Sequence, residues 1–480
     1  MPLLCCSRVG YEEIYLPDAA ETDARDGSQM DAQTGDDADD RDAGADAGPD
    51  AADQTDAGED AGADAGEDAG EDAGYVDAGG NDAADAADAA DAEDGGSDDA
   101  GDQDPDQCGT IESYVESHSV VSTEFVEVPG SEIVFTPSGT SENWLVLVSA
   151  ALASNYSGAA QVEANYTINS VEKGIGGIRP NDPWMAGAWQ HFALVTGTVE
   201  PQTVAVSLRE GRDGYQATIL RLRVIAFRLP ATAEAHYVNS ETIRTVDPAV
   251  WQSYQTLDVN PQTAGSYLIL SSVSASENPG QNSVGIRLVD PQGGYWPQAN
   301  PLLLDHLAHH SNNRYPWRSF FVARAQDLDG PGSYQIEAIG SDPGGSQIYY
   351  SRILALRIQS FGTFQTTEYW PQVSNTTTTP LSASSLAVQP NPSGCPLLAI
   401  QSMFVYTSSS DSTYYVSDFV VDTTPVASYS NSFSTGFCMP FGVFHLLPGN
   451  GSPQLYNQFN PSFDGMEALV RESVIHVFGR

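Results

Sequence analysis

WLVLVSAALAS (144–154), YLILSSVSAS (267–276) and PLLAIQSMFVYTSS (396–409) decide the fold. Each is an apolar strand that passes into small residues, and each begins the same series of signatures. An alternating strand follows: QVEANYTI from Gln161, SVGIRLVD from Ser283, YYVSDFVVD from Tyr414. Then comes a segment opened by an aromatic: WQHFALV from Trp189, WRSFFVAR from Trp317, FGVFHLL from Phe441. A terminal strand closes the series: ILRLRVIAF from Ile219, YSRILALRI from Tyr350, VRESVIHVF from Val470. Landmarks in the same order at a spacing close to 125 residues identify an internal repeat.

From Cys108 onward, short runs of Val, Ile, Thr, Tyr and Phe alternate with Gly, Pro, Asn, Asp and Ser, which is strand-and-turn texture. The reading is all-β: three tandem antiparallel β-sandwich modules of jelly-roll type, over 108–231, 232–362 and 363–480. Each is long enough for an independent core. Extra strands are expected within 119–137, 240–260 and 364–388. LLLDHLAHH, from Leu302, is the main run with helical spacing and predicts one short helix.

The first 107 residues differ in kind. They hold 35 of the 65 acidic residues and 3 of the 19 basic ones, so −32 of the net charge of −46 lies there. Over 18–107, runs such as DAGEDAGEDAG repel themselves and offer almost nothing to bury. A disordered acidic tether is expected. This charge balance argues against nucleic acid as a partner. No stretch of 18 or more apolar residues is present. The opening residues, 1–17, contain Met1-Pro2-Leu3-Leu4-Cys5-Cys6, which resembles the end of a bacterial lipoprotein signal with Cys6 as the acylated residue. Cys5 stands where such signals prefer Gly, Ala or Ser, and the alternative is a plain start with two incidental thiols. An Asp-Ala-Gly tract after a cysteine resembles the stalks of surface lipoproteins in some Gram-negative bacteria. The tandem sandwiches resemble modules of bacterial surface proteins, pilus-like fibres and phage tail fibres. The resemblance implies an extracellular protein anchored at the outer cell surface, touching a membrane only through a lipid anchor.

HExxH, GxSxG, Walker and paired-cysteine zinc patterns are all missing. Gly174-Ile175-Gly176-Gly177 reads as a turn, and Asp327-Leu328-Asp329-Gly330 as a hairpin turn that resembles the start of a calcium loop without the later ligands. Asp305, His306, His309 and His310 form the histidine cluster. On a helix, His306 would share a face with His309 or His310, which is acceptable zinc spacing, against the plainer reading of a polar loop. No cofactor is expected beyond these calcium and zinc alternatives.

The repeat sorts the tryptophans. Trp189 and Trp317 align, with Phe441 in the third module; Trp144 matches Tyr267; Trp251 and Trp370 recur one period apart. All are read as core. Trp184 and Trp296 are left over, in Pro/Gly/Asn-rich loops. Two readings apply: loop anchors, or a saccharide platform formed by Trp184 with Asn181 and Asp182, and Trp296 with Tyr295 and Gln298. Cys395 and Cys438 occur in one module only and are expected to form a disulfide, leaving Cys108 as a free or intermolecular thiol. The function expected is non-catalytic binding or adhesion to a surface polysaccharide or another surface protein. The alternative is a structural fibre or spacer that oligomerises with its own kind. A secreted hydrolase is the third reading, because a carboxylate pair leaves no motif.

Overall fold

The computed structural model describes residues 108–155, 161–178, 186–211, 214–248, 250–276, 284–297, 302–304, 318–340, 346–369, 372–407, 413–433, 438–461 and 465–480. The expectations for the tether and Cys6 lie outside these residues.

Module 1 contains β1 (Thr110–Val120), β2 (Val126–Glu127), β3 (Ile133–Phe135), β4 (Trp144–Ser154), β5 (Val162–Ile168), β6 (Val171–Ile178), β7 (Ala186–Val195), β8 (Gln202–Glu210) and β9 (Ala217–Arg228). Module 2 follows with β10 (Ala235–Ser240), β11 (Arg244–Thr245), β12 (Gln252–Val259), β13 (Gly265–Ser276), β14 (Val284–Val289), β15 (Tyr295–Trp296), β16 (Leu302–Leu304), β17 (Arg318–Leu328), β18 (Gly332–Gly340) and β19 (Gln347–Arg357). Module 3 has β20 (Thr363–Tyr369), β21 (Val373–Asn375), β22 (Leu381–Ala387), β23 (Leu397–Thr407), β24 (Thr413–Val421), β25 (Thr424–Phe433), β26 (Cys438–Leu447), β27 (Gln454–Pro461) and β28 (Ala468–Gly479).

Each module is a two-sheet antiparallel sandwich of jelly-roll order. One sheet runs β1-β9-β4-β7, β10-β19-β13-β17 and β20-β28-β23-β26 in the three modules. The other runs β2-β8-β5-β6, β12-β18-β14-β15 and β22-β27-β24-β25, the last joined through β25 to β7 of module 1 in one eight-stranded sheet. Strands far apart in sequence are therefore neighbours in space. The two kinds of sheet differ in burial. In β8, β18 and β27 buried and half-buried residues alternate, as expected with a core on one face only. In β4, β13 and β28 nearly every residue is buried, so both faces are covered.

What covers the second face is the neighbouring modules. Each sandwich has its own apolar core. A fourth core draws on all three: Leu147 and Phe227 from module 1, Leu270 and Leu356 from module 2, Ile400 and Phe478 from module 3. These are repeat-equivalent residues, so like packs against like around a common centre. Phe321 of module 2 meets Phe192 and Phe444 edge-on, at ring-centroid distances of 6.4 and 5.1 Å. The expectation of independent cores is corrected to this extent: the modules share one.

The contacts run cyclically. In β4, β13 and β23 the equivalent residues are Ala151, Ser274 and Phe404. Ala151 joins the core of module 3, and Phe404 joins that of module 2. Ser274 donates from its Oγ to the Ile175 carbonyl of module 1 at 2.5 Å. The last strand of each module carries a bulge at the same place, where Arg221, Tyr350 and Glu472 adopt φ of 51°, 49° and 57°. These follow the same order. Arg221 donates to the Pro425 carbonyl of module 3, Tyr350 to Glu172 of module 1, and Glu472 lies as a negative charge beside Arg324 of module 2. Two separate sets of positions thus give one closed ring of three modules.

Four further readings are corrected. Gly174–Gly177 is not a turn but lies in β6, where a Cβ on Gly176 would come within 2.2 Å of the Trp189 ring. Leu302–Leu304 is a strand paired with β14, not the start of a helix. Ladder register places Trp189 opposite Ala150, Phe320 opposite Val273 and Phe441 opposite Met403, so Phe320 rather than Trp317 is the equivalent aromatic. Cys395 pairs with Cys108, 287 residues away and 5.4 Å between Cα atoms, not with Cys438. The 327–330 stretch forms the turn from β17 to β18, with Asp327 accepting from Ser266.

Candidate binding surface

Trp296 and Tyr295 are adjacent in β15, so the pleat sends their rings to opposite faces. Trp296 pairs with Leu288 and points inward. It is 1% exposed, packed near Tyr334 at 6.3 Å and capped by the Arg324 guanidinium at 4.1 Å. A ring so enclosed cannot stack on a sugar, and its role as a platform is corrected to that of an anchor. Tyr295 faces outward and is 37% exposed. Of the other proposed site residues, Asn181, Asp182, Trp184, Gln298, Asp305, His306, His309 and His310 lie outside the described residues. Among the described residues, no three His, Cys, Asp or Glu are placed to hold a metal.

Tyr295 is instead the end of a row that crosses the outer sheet of module 2. Arg287 projects from β14 beside it, and Glu337 stands directly opposite Arg287 on β18. The Arg287 Nε donates to the Glu337 carboxylate at 2.8 Å, with a second guanidinium nitrogen at 2.6 Å. The guanidinium carbon lies 5.0 Å from the Tyr295 ring centre and 4.1 Å from that of Trp251, which immediately precedes β12. Trp251, Glu337, Arg287 and Tyr295 therefore span four neighbouring strands. The carboxylate fixes the guanidinium, and the guanidinium fixes both rings. The turn leading to Tyr295 is held by Asp290, whose Oδ1 accepts from the Gln292 and Gly294 amides. Trp251 is half-buried on this outer face, so its expected place in the core is corrected.

The row presents two rigid aromatic edges with a neutralised ion pair between them. Such a surface offers C–H stacking and fixed hydrogen-bonding groups without net charge. Sequence reasoning found Tyr295 but missed Trp251, because the apparent periodicity with Trp370 assigned it to packing. Module 1 uses a similar device on its outer sheet, where Arg209 is ion-paired with Glu163 and stacks over Phe125 at 4.3 Å.

Elsewhere among the described residues, several titratable groups are buried. Burial holds His191 and His445 down to about 3 and His476 to about 4. His191 bonds the Ile175 carbonyl, and His476 the Thr366 hydroxyl. Burial also pushes Glu210 up to about 7, where it accepts from the Gln161 amide. These four groups lie on four different strands, β7, β26, β28 and β8.

No protein-family model matches the chain, and no curated protein matches it. Among solved structures, one similar chain forms the T=1 particles derived from infectious bursal virus, at 13% identity and a TM-score of 0.20, covering 52% of this chain and 70% of that one. Another is an archaeal virus protein with a triple jelly roll and turret assembly, at 11% identity, TM-score 0.17, covering 75% and 91%. A third is the tandem CBM22-1–CBM22-2 pair of Xyn10C from Paenibacillus barcinonensis, at 8% identity, TM-score 0.15, covering 50% and 92%. Likenesses at this level carry no argument about role.

Proposed function

We propose that this chain is a non-catalytic extracellular protein whose ring of three jelly rolls is held out on its acidic N-terminal segment and binds a surface polysaccharide. The row Trp251–Arg287–Tyr295 carries this reading. Outward-facing rings held rigid by an ion pair, Tyr295 exposed and Trp251 half-buried, lose little freedom on binding, and polysaccharides are bound by ring faces with polar neighbours to orient hydroxyls. The Cys108–Cys395 bond supports an oxidising compartment. A lipid anchor at Cys6 would place the body outside the cell surface. The test is retention of the full chain on a glycan array and on whole cells, with and without Trp251→Ala and Tyr295→Ala. Loss of retention at unchanged melting temperature supports the reading; retention by the double variant removes it.

A structural role is the second reading, favoured by the shared core. Three sandwiches fused around one centre cannot act as independent binding units along a flexible string. If the intact chain binds no polymer or cell, the body serves as a rigid head or spacer.

A further inference from the structure

We propose that the Cys108–Cys395 disulfide is the third junction of the ring, standing where the chain cannot supply a peptide linker. A linear chain threading three modules makes two linkers, whatever precedes or follows it. Leu229–Glu234 joins modules 1 and 2, and Ile358–Gly362 joins modules 2 and 3. The two linkers also bond to each other: the Ser360 hydroxyl donates to the Thr232 carbonyl and receives the Glu234 amide, both at 3.3 Å. The seam between modules 3 and 1 has no linker. Along it, module-to-module contacts include the Ser430–Ala186 bridge, the Phe444 amide on the Ser149 hydroxyl at 3.3 Å, and Arg221 on the Pro425 carbonyl.

The cysteines sit where a linker would run. Ladder register makes Gly109, Glu234 and Thr363 equivalent, so Cys108 holds the place of the linker residues Ala233 and Gly362. Arg480, just past β28, donates to the Cys108 carbonyl at 3.3 Å, and the Ser393 hydroxyl donates to the Arg480 carbonyl at 2.9 Å. Cys395 lies two residues before β23 in the same loop as Ser393. End of module 3, start of module 1 and this loop therefore meet at one point, and the disulfide ties them. Cys108 is 2% exposed and Cys395 is half-buried, so reductants reach the tie chiefly from the Cys395 side. Any load on the chain N-terminal to Cys108 passes to modules 1 and 3 together, rather than peeling the edge strand β1 from β9. The clasp is independent of what the body binds.

Hydrogen exchange on the full oxidised chain tests this, comparing wild type with Cys108→Ser/Cys395→Ser. Peptides spanning 441–447 report the 3–1 seam through the Phe444 amide. Peptides spanning 171–178 report the 1–2 seam, where Ser274 donates to the Ile175 carbonyl and Tyr350 to Glu172. The 441–447 peptides are expected to exchange faster by roughly 30-fold or more, the ratio corresponding to a typical disulfide's stabilisation, with 171–178 much less affected. Equal acceleration at both seams, or none, overturns the proposal. Should the double variant fail to fold, a permutant decides. Residues 1–107 precede 232–480 carrying Cys395→Ser, a short linker joins 480 to 109, and 109–231 complete the chain, so neither clasp cysteine remains. It is expected to fold, protect the 3–1 seam and expose the opened 1–2 seam; failure to protect the 3–1 seam rejects the clasp.

Discussion

At the scale of the residue, the ring depends on size matching at its centre. Gln190, Phe321 and Gly442 stand at equivalent ladder positions, opposite Ser149, Ser272 and Ser402. A Cβ on Gly442 would lie 2.7 Å from the Phe321 ring and 3.2 Å from the Gln190 side chain. The ring cannot retreat, because Phe192 and Phe444 hold it edge-on. Gly442→Ala is therefore expected to cost about 1–3 kcal/mol through overpacking. Phe321→Leu in the same chain should recover part of that loss, and a double-mutant cycle by urea unfolding would show the coupling. Additive effects would mean that the two residues do not meet. The same argument explains Gly176, which leaves space for Trp189, and why a run of glycines that suggests a turn is a strand.

Among the elements, the terminal strand of each module does two jobs. It lies between two strands of its own sheet, and its bulge sends one side chain across to a neighbour. Tyr350 reaches Glu172 this way, so Tyr350→Phe is expected to lower stability by about 1 kcal/mol and to loosen the 1–2 seam. Exchange of amides in β6 should then rise while those of β23 stay fixed; an unchanged melting curve would assign the bond no weight. The clasp acts at the same scale on the remaining seam. A cross-link spanning 287 residues has an entropic upper bound of roughly 5–6 kcal/mol. The strands themselves were legible in the alternation of QVEANYTI and SVGIRLVD. Bulges and clasp were not, since a bulge depends on the register of a partner strand and a disulfide on which loops meet.

Taken as a whole molecule, the shared core predicts cooperativity. Opening any one module exposes residues that cover the other two, so calorimetry of the oxidised chain should show one main transition. Three resolved transitions would return the modules to independence. Acid should weaken the body. Unfolded histidine takes up a proton near 6.5, whereas burial delays this to about 3 in His191 and His445 and about 4 in His476. Between those values the unfolded chain binds more protons, so stability is complete above about pH 6.5 and falls as the pH drops toward 4. Glu210 has the opposite sign: its folded value near 7 lies above the ordinary 4.5, so it favours the folded state increasingly as the pH falls from 7 to 4.5. Burial raises the Glu368 and Asp418 carboxyls in the same sense as Glu210, but His191 and His445 are shifted furthest, and the three imidazoles predict a net loss, checked by melting temperature from pH 7.5 to 4. A melting temperature that rises on acidification would contradict the burial of these rings.

What the sequence determined by itself is the repeat, its three modules and their all-β, jelly-roll class, because strand periodicity and turn chemistry are local properties of the chain. The anchoring of Trp144 and Trp189 also followed from pattern. Only the tertiary structure decided that the modules close into a ring, that Cys395 meets Cys108, that Trp296 is enclosed and that Trp251 joins Arg287 on the surface. The physical reason is that a continuous apolar run such as that of β4 marks a strand covered on both faces without saying by what. The partner of a second face, a ring or a thiol lies in another strand or loop, as near in sequence as Arg287 is to Trp251 or as far as 287 positions for the cysteines.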